Sequence, residues 1–279
     1  MSGINKLMNK SFLERAISGI LLVIIALVTI ISGGDILFAT IFIISMIGMF
    51  EFYRVFDMQK TPMAVIGYVA AVVWFAFLRF DMLEHIVPVF IGFLLLLMAS
   101  YVVTFPKYQI ESVIAAFFAL FYVPMMLSCV YRVRMLEGGA YLVWLIFLCS
   151  WGCDTCAYLV GVMFGKHKMA PILSPKKSVE GGIGGVVGAA LLGLIYACIF
   201  ADKMGAITDA KVMVPVICAV AAVISQIGDL AASGIKRNHE IKDYGKLIPG
   251  HGGILDRFDS VIVTAPVVYW VIWFFEQLF

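Results

Sequence analysis

Long apolar runs constrain the fold of this chain more than any other feature of its sequence. A helix that crosses a bilayer core about 30 Å thick needs roughly 20 mostly apolar residues. Nine runs of about this length follow one another, separated by short polar stretches. Their approximate limits are 16–33, 35–56, 62–80, 86–105, 112–131, 140–163, 183–200, 211–233 and 260–279. The pattern predicts an all-α integral membrane protein with about nine transmembrane helices.

The composition excludes a soluble fold. Hydrophobic residues make up 63% of the 279 residues and charged residues only 14%, against roughly 25% charged in an average soluble domain. One or two soluble domains could not bury this much apolar surface. The net charge of +2 is too small to indicate a nucleic-acid partner.

The basic residues predict the orientation in the membrane, because Lys and Arg are retained on the cytoplasmic side. If the spans alternate in direction, 15 of the 20 basic residues lie on the same face as the N-terminus and 5 on the other. We therefore expect a multi-pass protein of the plasma (inner) membrane with a cytoplasmic N-terminus and an external C-terminus. The polar loops 164–182 and 234–259 would both open to the cytosol.

Polar residues become denser toward the C-terminal half. This gradient predicts an N-terminal scaffold of about five spans in 1–135 and a functional region of about four spans in 136–279. The active site is then expected at the cytoplasmic side of the C-terminal half.

The stretch Ser233–Asp259 has the composition of a phosphate site. Its 27 residues include five basic residues, four acids, two histidines and five glycines. Cations neutralise a polyphosphate, and glycine lets backbone N–H donors approach it closely. An anchor for anionic lipid headgroups would explain the basic residues but not the glycines and acids. The basic residues are Lys236, Arg237, Lys242, Lys246 and Arg257, and His251 either donates to a phosphate or holds the loop.

Acidic residues flank this stretch. Asp256 and Asp259 share one face if the last helix begins near Leu255, and grouped carboxylates beside phosphates commonly hold Mg²⁺. The alternative for either is helix capping. Asp229 lies near the end of an apolar span and needs a cation, which is a shared metal or Lys236 folding back. Asp154 is either a site residue or a partner in a hydrogen bond between helices.

The loop 164–182 resembles a second phosphate-binding site. Pro175 is expected to open a turn, after which Lys and Ser precede the N-terminus of a helix, where N–H donors and the helix dipole favour an anion. For the glycines that follow, close packing between transmembrane helices is the preferred explanation. These residues are Lys176, Lys177, Ser178, Glu180, Gly181, Gly182, Gly184 and Gly185.

Three motifs together resemble the phosphatidate cytidylyltransferase (CDP-diacylglycerol synthase) family. Residues 233–259 fit its signature of S-x-I-K-R, K-D-x-G and P-x-H-G-G-x-x-D-R-x-D. The similarity extends to SPKKSVEG at 174–181 and to W-x-x-D-T-x-A-Y at 151–158. It covers most of residues 150–260 and says little about the first five spans.

The resemblance implies transfer of cytidine monophosphate from CTP to phosphatidate, giving CDP-diacylglycerol and pyrophosphate, by a membrane enzyme that uses Mg²⁺. It assigns Asp229, Asp256 and Asp259 to the metal and, with Lys236, to catalysis. Substrate binding would fall to Lys176, Lys177, Ser178, Glu180, Arg237, Lys246, His251 and Arg257. Asp154 and Asp243 are further candidates. A second cation and a homo-oligomer are left open.

A membrane transporter of an anionic solute is the rival interpretation. Nine spans, intramembrane acids and basic loops would also suit it. However, the polar residues of this chain cluster toward one membrane face, whereas a transport site lies near the midplane.

Overall fold

The computed structural model describes the backbone of residues 2–205, 207 and 209–278, and the side chains of 17–205, 207 and 209–275. Within these residues the chain forms eleven α-helices and one β-hairpin. The elements are α1 (Ser2–Ser32), α2 (Gly34–Val55), α3 (Pro62–Arg79), α4 (Ile86–Thr104), α5 (Ile110–Leu120), α6 (Met126–Met135), α7 (Gly139–Phe147), α8 (Cys153–Phe164), β1 (Lys168–Ala170), β2 (Ser174–Ser178), α9 (Val179–Phe200), α10 (Ala210–Asn238) and α11 (Leu255–Leu278).

Eight helical segments of the described chain are long and apolar enough to cross a membrane. They are Gly34–Val55, Pro62–Arg79, Leu83–Thr104, Ile110–Met135, Gly139–Phe164, Val179–Lys203, Ala210–Asn238 and Leu255–Phe275. The prediction of a helical membrane protein is thereby confirmed. The first predicted run falls in α1, whose apolar part Ile17–Ser32 is shorter, so the ninth span stays a prediction.

Two of these segments contain a π-helical turn. Phe121–Met125 joins α5 to α6 and includes Pro124, which has no N–H to give to the helix ladder. Leu148–Gly152 joins α7 to α8. Such turns widen a helix locally and often occur at functional sites. The second one directly precedes Asp154, in the first turn of α8.

The loop 164–182 contains the β-hairpin, which the sequence analysis missed. β1 pairs antiparallel with β2, with Lys168 opposite Ser178 and Ala170 opposite Ser174. The prediction that Pro175 opens a turn was wrong, because Pro175 lies inside β2 and the turn covers 171–173. In a sheet of two strands both strands are edges, and an edge strand tolerates proline.

The loop predicted over 234–259 is shorter than expected. α10 continues to Asn238, so Lys236 and Arg237 lie in its last turn, where basic residues complement the helix dipole. α11 begins at Leu255, which meets the condition for Asp256 and Asp259 to lie near each other on its first turn, and it starts before the predicted span 260–279. The irregular segment is therefore 239–254.

The chain forms two compact units that interleave along the sequence. Unit 1 comprises Met1–Thr29, Ala39–Ser128 and Ile241–Arg257, and unit 2 comprises Ile30–Phe38, Cys129–Glu240 and Phe258–Phe279. The predicted boundary at 135 stays a prediction. Because the units alternate along the chain, the signature stretch contributes residues to both of them.

Glycines let α9 pack closely against α8, as the sequence analysis preferred. A Cβ built on Gly184 would lie 2.5 Å from the Val160 side chain, and one on Gly185 would lie 3.0 Å from the Cys153 carbonyl oxygen. A Cβ on Gly181 would lie 2.7 Å from the carbonyl oxygen of Ala157. Backbone of α8 would have to move to admit a larger residue.

Gly181→Ala is therefore expected to lower the free energy of unfolding by about 1–3 kcal/mol, the usual range for overpacking. Gly92→Ala in α4 is the matched control, because a Cβ there meets nothing within 4 Å. It should be neutral or stabilise by up to about 1 kcal/mol. Thermal unfolding in detergent measures both variants, and equal melting temperatures would contradict the packing argument.

Candidate active site

A cavity of about 560 Å³ that is lined in part by charged side chains lies in unit 2. Its walls come from α8, the β-hairpin, the start of α9 and α10. The polar residues that line it are Asp154, Lys168, Ser174, Lys176, Lys177, Ser178, Gln226 and Asp229. Five of them were predicted site residues from three separate parts of the sequence, and the fold brings them to one place.

The Lys177 ammonium forms an ion pair with the Asp229 carboxylate in this cavity. Both side chains are about one quarter exposed, at 26% and 24%. An intramembrane carboxylate needs a counter-charge, and the sequence analysis weighed a metal or Lys236 for this purpose. Among the described residues, the cation that Asp229 contacts is Lys177 of the β-hairpin, and a shared metal stays a prediction.

Asp154, Asp229 and Asp259, which we call the carboxylate cluster, interact electrostatically with one another. Lys177 lies near Asp154, whose carboxylate is also hydrogen-bonded to Ser260. Lys236 is buried and lies near Asp259. Carboxylates outnumber ammonium groups in this set, so a further cation would be electrostatically favoured.

The residues of the cluster fit Mg²⁺ better than a metal held by protein ligands alone. Across the described residues, no group of three or more His, Cys, Asp or Glu side chains is placed to hold a metal ion. Mg²⁺ does not require such a group, because it keeps several waters and is commonly bound by one or two carboxylates plus substrate phosphates. Asp229 and Asp259 are carboxylates of this kind, and their role as metal ligands stays a prediction.

Asp256 lies in unit 1. It organises residues 241–257, which we call the signature loop. Its Oδ2 accepts hydrogen bonds from the backbone N–H groups of Tyr244 (2.8 Å), Gly253 (2.9 Å) and Gly245 (3.4 Å). The side chain is only 7% exposed. These contacts are with the loop before α11 and not with the helix itself, so they differ from the capping alternative. The role of Asp256 as a metal ligand stays a prediction.

The His251 side chain also contacts another residue of the protein. Its Nδ1 lies 2.9 Å from the Ser18 hydroxyl oxygen, and the same hydroxyl donates to the Pro249 carbonyl at 2.9 Å. This geometry favours the loop-holding alternative. The remaining predicted residues of this segment in unit 1 are exposed, namely Asp243, Lys246 and Arg257, as is Arg237 in unit 2.

Ser178 and Glu180 make structural contacts at the start of α9. The Ser178 hydroxyl oxygen accepts from Gly181 N–H at 3.2 Å and caps the helix. Glu180 accepts from the N–H groups of Lys166 (3.1 Å) and His167 (3.2 Å), and its Oε1 lies 2.6 Å from the His167 ring. Ser178 nevertheless lines the cavity, whereas a substrate contact for Glu180 stays a prediction.

Sequence reasoning missed three polar cavity residues, Lys168, Ser174 and Gln226. Gln226 is 8% exposed and donates to the Gly182 carbonyl at 3.0 Å. A polar amide three residues before Asp229 in an apolar helix is an available signal. The two hairpin residues carry no such signal, because they reach the cavity only through strand pairing.

Comparison with known proteins agrees with the motif analysis. A model of the cytidylyltransferase family matches residues 13–275. This chain belongs to the cytidylyltransferase family. Its relatives include the phosphatidate cytidylyltransferase of Bacillus subtilis, 29% identical over 273 residues, which are 94% of this chain and 98% of the relative.

Other relatives carry the same name and match over a shorter length. The protein of Thermotoga maritima is 36% identical over 58% of this chain and 60% of its own length. That of Staphylococcus saprophyticus is 41% identical over 47% of this chain and 48% of its own length. In these matches the chain spans about half to three fifths of the relative. The resemblance seen in the sequence is thus confirmed at the level of the family.

Proposed function

We propose that this protein transfers cytidine monophosphate from CTP to phosphatidate and releases CDP-diacylglycerol and pyrophosphate. The observation that carries the proposal is the cavity in which three lysines, Lys168, Lys176 and Lys177, face two acids of the carboxylate cluster. Membership in the cytidylyltransferase family and the names of the relatives support the same reaction.

In this reaction a phosphate oxygen of phosphatidate forms a bond to the α-phosphorus of CTP. The bond from that phosphorus to the bridging oxygen of pyrophosphate breaks, and pyrophosphate leaves with the electron pair. Two anions must first approach each other, so cationic side chains lower the barrier by neutralising both. The cavity lysines, with Lys236 beside the cluster, are placed to do this.

We propose Asp229 and Asp259 as the residues that hold Mg²⁺, with Asp154 as a third candidate. Mg²⁺, when bound, would stabilise the negative charge on the departing pyrophosphate. Lys177 orients Asp229 through their ion pair. Asp256 is proposed to act through the loop that it organises.

For topology we propose nine spans, with α1 as the first, a cytoplasmic N-terminus and a plasma-membrane location. Cysteines placed at the exposed positions Lys168 and Lys242 should then react with an impermeant thiol reagent only from the cytosolic side. A cysteine at position 279 (Phe279→Cys), which lies outside the described residues, should react only from the external side. Labelling of Lys242→Cys from outside would contradict the orientation.

The reaction itself is tested with purified protein in detergent, labelled CTP, phosphatidate and Mg²⁺. We expect a labelled lipid and an equal amount of pyrophosphate, both dependent on phosphatidate and on the divalent ion. UTP and diacylglycerol serve as matched controls for the base and for the phosphate acceptor. Failure to form labelled lipid across several divalent metals and phosphatidate species would overturn the proposal.

A further inference from the structure

The signature loop 241–257 of unit 1 has almost no regular structure to hold it. Between Ile241 and Ile254 the described backbone contains one isolated bridge, Ile248 to Gly252. Backbone N–H groups that are buried without a partner are destabilising. Side chains therefore have to accept hydrogen bonds from the backbone N–H groups of this loop. One of these side chains comes from a distant helix.

Glu51, in the last turns of α2, receives two of these donors. Its Oε1 accepts from Ile254 N–H at 3.1 Å and its Oε2 accepts from Leu255 N–H at 2.9 Å. The first N–H groups of a helix have no partner within it and are normally capped by a neighbouring side chain. Here the start of α11 is capped by a residue more than 200 positions away, and that residue is only 3% exposed.

Arg54 adds a second contact from the same helix. It lies three residues after Glu51, interacts with it electrostatically, and its guanidinium donates to the Tyr244 carbonyl oxygen. Arg54 thus contacts the loop near its start, and Glu51 contacts it near its end. Neither Glu51 nor Arg54 is among the proposed substrate-binding residues.

The Glu51 carboxylate also explains two glycines of the signature. A Cβ built on Gly253 would lie 2.4–2.5 Å from three atoms of the Glu51 carboxyl group, and one on Gly245 would lie 2.1 Å from its Oε1. Real Cβ atoms do not approach so closely. A Cβ at either position would therefore force the Glu51 carboxylate to move from its contacts with Ile254 and Leu255.

We infer that Glu51 is a positioning residue that, together with Arg54, fixes the signature loop and the first turn of α11. Asp256 and Arg257 lie in this first turn, so the placement of both depends on α2. The consequence for catalysis rests on the proposed function. The claim that Glu51 holds the loop is independent of the proposed function, and hydrogen–deuterium exchange measures it separately.

Hydrogen–deuterium exchange of the loop tests the structural claim directly. Glu51→Gln keeps the size of the side chain but replaces one acceptor oxygen by an NH₂ group. Amides of Ile254 and Leu255 should then exchange about tenfold faster, as expected when one hydrogen bond to a charged group is lost. The control is Glu111→Gln, an exposed acid in the first turn of α5, which should leave the exchange of 241–257 unchanged.

Turnover separates positioning from a general loss of stability. In Glu51→Gln we expect kcat per folded molecule to fall at least about tenfold at a temperature where the protein is still folded, with KM for CTP changed less than kcat. Unchanged exchange of loop 241–257 in Glu51→Gln would overturn the inference. If the wild type forms no CDP-lipid, the proposed function fails, and exchange alone decides whether Glu51 holds the loop.

A suppressor pair gives the sharpest test. Gly253→Ala alone should be strongly impaired, because its methyl group meets the Glu51 carboxylate. In the double variant Glu51→Ala with Gly253→Ala that clash is absent, so the glycine substitution should add little to the defect of Glu51→Ala. Fully additive defects in melting temperature and turnover would show that Gly253 is required for another reason, and the steric argument would fall.

Discussion

Asp229→Asn is expected to lower the turnover of CTP at least about 100-fold per folded molecule. Loss of even an outer partner of a metal ligand typically costs 10–100-fold, and Asp229 is proposed as a ligand itself. Asparagine keeps the volume and removes the charge. Turnover per folded molecule, measured over a range of Mg²⁺ concentrations, should show partial recovery at high Mg²⁺.

The ion pair with Lys177 offers a competing explanation that the same experiment can separate. If Asp229 served only to neutralise Lys177, then Lys177→Met in the Asp229→Asn background would restore activity by removing the uncompensated cation. We expect no such rescue, because Lys177 is proposed to bind phosphate. Asp202→Asn, at an exposed position, is the control for charge removal. Wild-type turnover in Asp229→Asn would end its assignment as a ligand.

The helices of the membrane region were predictable from the sequence because each apolar run has to satisfy its own backbone hydrogen bonds in lipid. The predicted run 140–163 became the segment Gly139–Phe164, and 62–80 became Pro62–Arg79. The start of α11 at Leu255 is compatible with its acids, since acids are favoured in a first turn, although the predicted apolar run began only at 260.

Contacts between distant segments were not predictable in the same way. The pairing of Lys177 with Asp229 depends on a short hairpin whose strands carry no periodic apolar pattern. Glu51 is a single acid near the end of an apolar run, and in sequence such a residue is indistinguishable from an ordinary interfacial charge. Its role appears only when Ile254 and Leu255 are brought against it.

Asp256 and Asp259 lie three residues apart, and sequence alone offers both the same two roles, metal ligand or helix cap. Their surroundings predict opposite responses to Asn. In Asp256→Asn the oxygen that receives three backbone N–H groups loses its charge. The free energy of unfolding should fall by about 1–3 kcal/mol, the range for weakening buried hydrogen bonds to a charged group. Turnover should fall with it, because the loop is displaced, and added Mg²⁺ should not restore it.

Asp259→Asn should behave in the reverse manner. Removing one of three mutually repelling carboxylates relieves like-charge repulsion, so the melting temperature should hold or rise while turnover falls at least about 100-fold, as argued for Asp229, and recovers in part with Mg²⁺. Thermal unfolding and a Mg²⁺ titration compare the two variants. Asp256→Asn should lose stability without recovery by Mg²⁺, whereas Asp259→Asn should keep its stability and recover in part. Neither a shared metal site nor a shared capping role would produce this difference. If instead Asp256→Asn kept its melting temperature and recovered with Mg²⁺, Asp256 would belong with the metal ligands, and the three backbone contacts would be incidental to its function.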